Sequence, residues 1–550
     1  MATIRFSIND LRAYGIEKAR LEKIAAALGM EVEKIDGDEA TIDITADRPD
    51  MLDIVGFGRA ASLFNGKSSV REGHYKISNE PFTEVKVSDS VKRVRPFIAA
   101  FVAKNVDMTG NRLKYLMNFT EKFCDTYGRK RRKLAIGVHN LDMVKGPLVY
   151  SAGNESGFVP LGASKSMSFE EALRKTEKGR EYGSLLSESK GLYPYLKDSK
   201  NIISLIPITN SDVTKVMQGT KNLFIEITGT SKSAVEQTAA LMACSFIDSG
   251  ADVHPCNITY KTGRVKTPEL KYSEMMIKPA EVDRTLGTSL INFNAILALL
   301  GRMGHLAAKY GNNVIAYVAP YRLDVLDERD LIEDIAIAYG YDNITPLPVA
   351  GFGVGIKSEL SEFADRISSK MIGLGFTESM NNNLTNERVN FENMDRDYDK
   401  NDIVSIAQAK TEAISMLRTA VLPSLLQNLS ISGHEPMPQK LFEIGKAFAL
   451  NKGKIIESDL ISIVSEHPKA NFSEIKSVAE AVLGMATGQK ITLKRHKDSA
   501  FIEGRCASIH IDNEWIGIIG EIAPGVLANF KIDEPVVAAE LDMRKLMVLS

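Results

Sequence analysis

Several features that would place a chain outside the ordinary globular class are missing here. The four cysteines, Cys124, Cys244, Cys256 and Cys506, form no CxxC pair and stand far apart. That spacing excludes a zinc knuckle and a disulfide framework, and leaves reduced, mostly buried thiols. No apolar run approaches the ~18 residues that a membrane-crossing helix needs. The N-terminus, MATIRFSINDLRAYGIEKAR, lacks the charged-then-apolar pattern of a secretory signal. A soluble, cytoplasmic protein without a membrane partner is expected. An excess of one charge is also missing, with 68 Lys+Arg against 70 Asp+Glu and a formal net charge of −2. Nucleic-acid-binding domains usually carry a basic excess, so only a local patch would serve that role here.

Signature loops are absent as well. No GxxxxGK[ST], HExxH or GxSxG occurs, and the eight histidines are scattered. A P-loop, a zinc-protease helix and a nucleophile elbow are thereby excluded. GFGRAA at 56–61 has GxGxxA spacing, but no strand precedes it, and it is expected inside the helix that follows DRPDMLD.

What is present describes a multidomain protein. At 550 residues the chain exceeds one core, and about 150 residues per domain suggests roughly four domains. A hydrophobic fraction of 44% with 25% charged residues is ordinary for a globular chain. Residues 1–83 begin with a helical stripe, Leu21, Ile24, Ala25 and Leu28, closed by Gly29, then a strand alternating through Ile42 and Ile44. Residues 84–265 mix β-branched runs (NIISLIPIT, NLFIEITGT) with a buried helix in SAVEQTAALMACSFID. Residues 266–348 carry a helix in NFNAILALLGRMG, a strand in NVIAYVAP and a charged helix after Asp327. The Pro/Gly-rich PLPVAGFGVG at 346–355 reads as a connector. Residues 357–550 open with Leu360, Phe363, Ala364, Ile367 and Met371 at helical spacing, stopped by Gly375, and end in strands around ASIHID and WIGIIG. The fold class is α+β multidomain.

One helix concentrates acids. Asp330, Glu333 and Asp334 stand at i, i+3 and i+4 and share a face, and Asp324 lies just upstream. Such a face is commonly just solvated. The alternative is a hard cation such as Mg²⁺, which would relieve the repulsion among converging carboxylates. The densest basic run, Arg129, Lys130, Arg131, Arg132 and Lys133, reads either as a solvated loop or as a contact for nucleic-acid phosphates.

From Ala319 to Ile344 the pattern A-P-Y-R-x-D-(x5)-D-L-I-E-(D/E)-I-A-x-x-Y-G-Y-D-x-I resembles the signature of the small helical domain of phenylalanyl-tRNA synthetase beta chains. TADRPDMLDIVGFGRA is similar to that family's N-R-P-D segment, with Asp47 where Asn is usual. GVHNLDMVKGPLVY, LIPITNSDVTKV and TKNLFIEITGT resemble segments of its editing domain, with Asn140 replacing an acid. LRTAVLPSLLQNLSISG and KLFEIGKAF are similar to the class II synthetase-like core of beta chains. The length matches the archaeal/eukaryotic form, shorter than the bacterial one.

The resemblance implies mixed α/β N-terminal and editing domains at 1–83 and 84–265 and a small helical domain at 266–348. A class II-like antiparallel core without catalytic motifs would follow at 357–550. It implies Mg²⁺ held by Asp324, Asp330, Glu333 and Asp334 and shared with an alpha subunit in an α2β2 enzyme acting on tRNA(Phe). Adenylation would belong to alpha, because Lys440–Gly445 lacks the FRxE arginine and Gly517–Glu521 lacks a closing Arg. Hydrolysis of Tyr-tRNA(Phe) would be this chain's own chemistry, with Asn210, Ser211 and Glu226 in the pocket-forming segments. A turn at Asn210–Ser211 and a solvent-facing Glu226 are the plainer alternatives. A scaffold with an inactive pocket and a free-standing deacylase remain open as other functions.

Overall fold

The computed structural model describes residues 2–189, 191–287, 292–346, 348, 351, 353–407, 409 and 411–549. Part of the expected connector, residues 347, 349, 350 and 352, lies outside them. The chain divides into two compact units, 1–349 and 350–550.

The first unit opens with a three-stranded antiparallel sheet: β1 (Ala2–Ser7), β2 (Glu31–Asp36) and β3 (Glu39–Ile44), with β3 central. Helices α1 (Ile8–Arg12), α2 (Lys18–Ala27) and α3 (Ile54–Phe64) accompany it. The α2 stripe Leu21, Ile24 and Ala25 is buried, and Gly29 takes the left-handed turn (φ +78°) that a Cβ would strain. GFGRAA lies within α3, and packing accounts for its glycines. A Cβ on Gly56 would strike the Asp50 carbonyl, and one on Gly58 the Tyr14 ring.

A ten-stranded mixed sheet follows. Its strands are β4 (Thr83–Val87), β5 (Phe97–Lys104), β6 (Leu134–Asn140), β7 (Leu148–Gly153), β8 (Tyr193–Lys197), β9 (Ile202–Leu205), β10 (Thr209–Asn210), β11 (Leu223–Gly229), β12 (Asp252–Tyr260) and β13 (Gly263–Thr267). They run β10-β9-β8-β7-β4-β12-β5-β11-β6, with β13 paired to β12. Two helices, α4 (Arg112–Asp125) and α7 (Lys232–Asp248), bury apolar side chains in the core shared with Leu223, Ile225 and Ile227 of β11. A smaller cluster, Phe158, Phe169, Tyr182, Tyr195, Leu205 and Ile208, joins the β8–β9 region to α5 (Phe169–Lys175) and α6 (Glu177–Tyr182).

Next comes the piece that the family resemblance implies to be a small helical domain; it is mixed, and the strand read in NVIAYVAP is present at Asn313–Val318. Helices α8 (Pro279–Leu286), α9 (Phe293–Arg302) and α10 (Glu328–Tyr339) accompany an antiparallel sheet of β14 (Ser273–Ile277), β15 (Leu306–Tyr310) and β16 (Asn313–Val318), with β16 central. Only β16 alternates cleanly, burying Val314, Ala316 and Val318, whereas β14 and β15 are largely exposed edges with little pattern.

The second unit is a seven-stranded sheet covered on both faces. Its strands are β17 (Thr377–Glu378), β20 (Gln439–Asn451), β21 (Lys454–Glu466), β22 (Thr492–Arg495), β23 (Phe501–Ile511), β24 (Glu514–Ile522) and β25 (Val536–Asp542). Their order is β17-β20-β21-β25-β24-β23-β22, antiparallel except for the β17–β20 pair. Two short strands, β18 (Leu384–Thr385) and β19 (Met416–Leu417), form a separate ribbon. One apolar cluster takes side chains from α11 (Glu359–Gly373), α13 (Phe472–Thr487) and α15 (Met543–Val548). A second takes them from α12 (Leu422–Ile431) and α14 (Pro524–Phe530).

Candidate functional site

Strand β11 is buried along its whole length, and its period of two sends alternate residues to opposite faces. Leu223, Ile225 and Ile227 enter the α4–α7 core, which leaves Phe224, Glu226 and Thr228 on the other face. Glu226 is therefore not solvent-facing: it is only 2% exposed, and it lines a cavity of about 260 Å³. Among the described residues its Oε2 has no hydrogen-bond partner. Burial pushes the carboxyl up to about 7, against the opposing pulls of the Ser204 hydroxyl and the Arg95 charge.

Asn210 lines the same cavity. Its Nδ2 donates to the Val138 carbonyl at 3.1 Å, and its Oδ1 accepts from the Ser204 hydroxyl at 3.2 Å. Gly137 on β6 stands opposite Glu226, where a Cβ would collide with both Glu226 Oε1 and Asn210 Oδ1. A glycine inside a strand is the sequence mark of such an approach, and Ser204, a polar residue within an apolar strand, is another. Neither stands out by residue type and spacing alone. Ser211 is placed otherwise than expected. Its hydroxyl donates to the Val159 carbonyl and accepts from Val213 N–H, closing a turn without lining the cavity. Asn140 caps the following turn through Asp142 N–H. His139 is buried beside Thr214 (2.8 Å), and burial drops its pKa to about 3, so the ring is neutral at physiological pH.

The basic run is divided in its roles. Arg129, Lys130 and Arg131 sit in the left-handed region (φ 52°, 50° and 64°), forming a tight turn after α4. Arg131 points inward to the cavity, donates to the Pro207 and Ile208 carbonyls, and stacks 4.3 Å from the Tyr182 ring centroid. Lys133 lies over Tyr127. Arg129, Lys130 and Arg132 are exposed.

The acidic helix departs from the expected convergence. Asp330 accepts from the N–H groups of Leu326 and Asp327 and so caps α10. Asp324 and Asp334 do meet, but across a guanidinium: Arg322 Nη2 lies 2.6 Å from Asp324 Oδ2 and 2.8 Å from Asp334 Oδ2. His305 adds a 2.7 Å contact to Asp334. Despite burial, both carboxyls are held below their ordinary range, chiefly by Arg322. Glu333 alone is exposed, and its pKa is raised by desolvation and by the charges of Asp334, Asp47, Asp330 and Asp324. Among the described residues no three acidic, His or Cys side chains are grouped to hold a metal ion. The four oxygen donors suit Mg²⁺ in kind. Within this chain they offer only part of a coordination shell, because Arg322 already neutralises two of them. The cation was legible as the R of A-P-Y-R, two residues before Asp324.

In the second unit the stretch that lacks the FRxE arginine holds an arginine from elsewhere. Arg418 pairs with Glu443 at 2.7 Å, both side chains almost wholly buried, and Arg418 Nε donates to the Lys446 carbonyl. Asn381 donates to the other Glu443 oxygen at 2.7 Å. Gly445 is required beside this pair, because a Cβ there would strike the Arg418 guanidinium.

Comparison with known proteins defines the class first. Residues 275–341 match the family model described as the tRNA synthetase B5 domain, and residues 345–543 match the phenylalanyl tRNA synthetase beta chain CLM domain. The phenylalanine–tRNA ligase beta subunit of Archaeoglobus fulgidus is 35% identical over 535 residues, covering 97% of this chain and 96% of the relative. That of Methanocella arvoryzae is 33% identical, covering 99% and 100%. A crystallised N-terminal fragment of the phenylalanyl-tRNA synthetase beta subunit from Pyrococcus horikoshii superposes with a TM-score of 0.59 at 29% identity, over 62% of this chain and all of the fragment. This chain belongs to the phenylalanine–tRNA ligase beta-subunit family. It is thus a subunit of an aminoacyl-tRNA synthetase, with an alpha-subunit partner and tRNA implied. No helix among the described residues is long and apolar enough to cross a membrane.

Proposed function

We propose that this chain is the non-adenylating subunit of a cytoplasmic α2β2 phenylalanine–tRNA ligase, and that residues 84–265 hydrolyse tyrosine wrongly attached to tRNA(Phe). Glu226 carries the proposal: a buried carboxyl oxygen without a partner among the described residues, at the wall of a cavity, is an acceptor waiting for a donor. A tyrosyl phenol supplies that donor, whereas a phenylalanyl ring leaves the carboxyl unpaired at a cost of about 1–3 kcal/mol. Asn210 and Ser204 hold the adjoining wall. The Thr214 hydroxyl lines the cavity 2.8 Å from His139 Nδ1, but with the ring's pKa near 3 the imidazole is too weak a base to activate that hydroxyl and too strongly neutral to serve as an acid. The attacking group is water, ordered by backbone, hydroxyls and the tRNA's own terminal ribose.

The test is hydrolysis of Tyr-tRNA(Phe) by the complex carrying Glu226→Ala, Asn210→Ala or Ser211→Ala, with phenylalanine charging as control. Loss in the first two with intact charging supports the assignment, and unchanged hydrolysis in all three refutes it. No hydrolysis by the unaltered complex favours a scaffold, and hydrolysis without any alpha chain favours a free-standing deacylase.

The same reading assigns Arg129, Lys130 and Arg132 to the tRNA backbone, with Arg131 and Lys133 shaping the turn that presents them. Residues 357–550 are read as a class II-like core in which the buried Arg418–Glu443 pair occupies the stretch that lacks the FRxE arginine. Adenylation then falls to alpha, and the domains divide at 83, 265 and 348. Of the four acids, Glu333 and Asp330 would hold a Mg²⁺ ion beside α10, and the ion would supply charge neutralisation there. Asp324 and Asp334 stand behind them, and further donors come from alpha. Assembly of Glu333→Gln with alpha, titrated with Mg²⁺, tests this; unchanged Mg²⁺ dependence removes the site.

A further inference from the structure

We propose that a second cavity of the first unit, about 760 Å³ in volume, binds a phosphate group. It lies where α3, the 66–75 segment, the end of α7 and Tyr321 come together. Arg59 forms part of its wall, with a side chain only 8% exposed. The guanidinium stacks 3.5 Å from the Tyr321 ring centroid, pairs with Asp248 at 2.5 Å and reaches Asp50 at 3.4 Å. Its Nε is buried without a partner among the described residues.

Asp248 is the one carboxylate lining the cavity, and it is fully engaged. Besides Arg59 it contacts His74 at 2.7 Å and accepts from the Tyr75 hydroxyl at 3.1 Å. The segment after α3 supplies donors with nothing to hold. Lys67 and Arg71 make no ion pair, and the Ser68 and Ser69 hydroxyls have no hydrogen-bond partner among the described residues. The N–H groups of Ser69, Val70 and Arg71 are likewise unpaired among the described residues. Two cations without ion pairs, two hydroxyls and successive N–H groups without partners, all lining one cavity, are the donor set of a tetrahedral oxyanion, while Arg59, held by Asp248 and Asp50, braces the wall behind them. The volume falls within the usual range for small-molecule sites, so the phosphate has room for an organic group. Either a small phosphate ester or a tRNA phosphate supplies that chemistry.

The experiment measures binding of inorganic phosphate to the full chain by calorimetry, comparing it with the double variant Lys67→Ala/Arg71→Ala. A further variant, Ser68→Ala/Ser69→Ala, leaves the charges in place. All four side chains are exposed, so neither variant should disturb folding, and an unchanged Tm verifies that. Saturable binding that weakens at least about tenfold in the Lys/Arg variant is expected, because charge-assisted hydrogen bonds are the stronger contributors. A smaller loss is expected in the serine variant. In a parallel arm, tRNA binding is measured with the same variants at fixed salt. Weakened tRNA binding identifies the nucleic-acid backbone as the source, and unchanged tRNA binding identifies a small phosphate ester. No saturable phosphate binding, or equal binding by the Lys/Arg variant, overturns the proposal.

Discussion

Glu226→Gln separates burial of this carboxyl from its use. In the folded chain the group titrates at about 7, against 4.5 when unperturbed. Below pH 4.5 it is protonated in both folded and unfolded chains and contributes no difference. Between 4.5 and 7 the unfolded chain ionises while the folded chain keeps its proton. Stability therefore falls as pH rises through that window. At 1.36 kcal/mol per pH unit the loss reaches about 3 kcal/mol above pH 7. Gln keeps the shape and an acceptor oxygen but has no proton to lose. The variant should match the unaltered chain near pH 4.5 and exceed it by up to about 3 kcal/mol at pH 8. Amide protection of β11 is the suitable measure, because a chain of two units need not unfold in one step. A difference that does not change with pH would refute the burial argument. The functional arm is independent: Glu226→Ala should slow Tyr-tRNA(Phe) hydrolysis by roughly 5- to 150-fold, the equivalent of 1–3 kcal/mol, whereas Gln should slow it much less.

Other predictions follow from the same structure. The isolated chain should give no phenylalanine-dependent ATP–pyrophosphate exchange, and clear exchange would contradict the assignment of adenylation to alpha. Arg322→Met should destabilise α10 by about 3–5 kcal/mol, because it leaves Asp334 buried with no guanidinium, and hydrogen exchange in α10 reads that directly. Gly58→Ala should cost about 1–3 kcal/mol, since its Cβ would enter the Tyr14 ring, and urea unfolding of the first unit measures it.

Local patterns carried much of this protein. The α2 stripe, the alternation in β3, the helix over 232–248 and the placement of GFGRAA within a helix were all readable, because each depends on neighbours within a few residues. The acidic spacing from Asp324 to Asp334 and the segments around Asn210 and Glu226 were equally legible, and with them the family. The partners of those residues were not legible. Glu226 looked like the polar member of an alternating strand. What buries it is the cluster on that face, where Phe224 packs with Tyr150, Leu196, Ile203 and Ile206, together with the 204–210 segment that lines the cavity beside it, contacts between segments far apart in sequence. Ser211 is a neighbour of Asn210 in the chain, yet the turn directs one side chain to Val159 and the other toward the cavity. The four acids read as mutually repelling until the fold placed Arg322 between two of them, set His305 against Asp334 and turned Asp330 back onto its own helix terminus. Residue types and spacings state which charges exist. Only the tertiary structure decides which are paired, because pairing depends on distances between side chains that the sequence order does not contain.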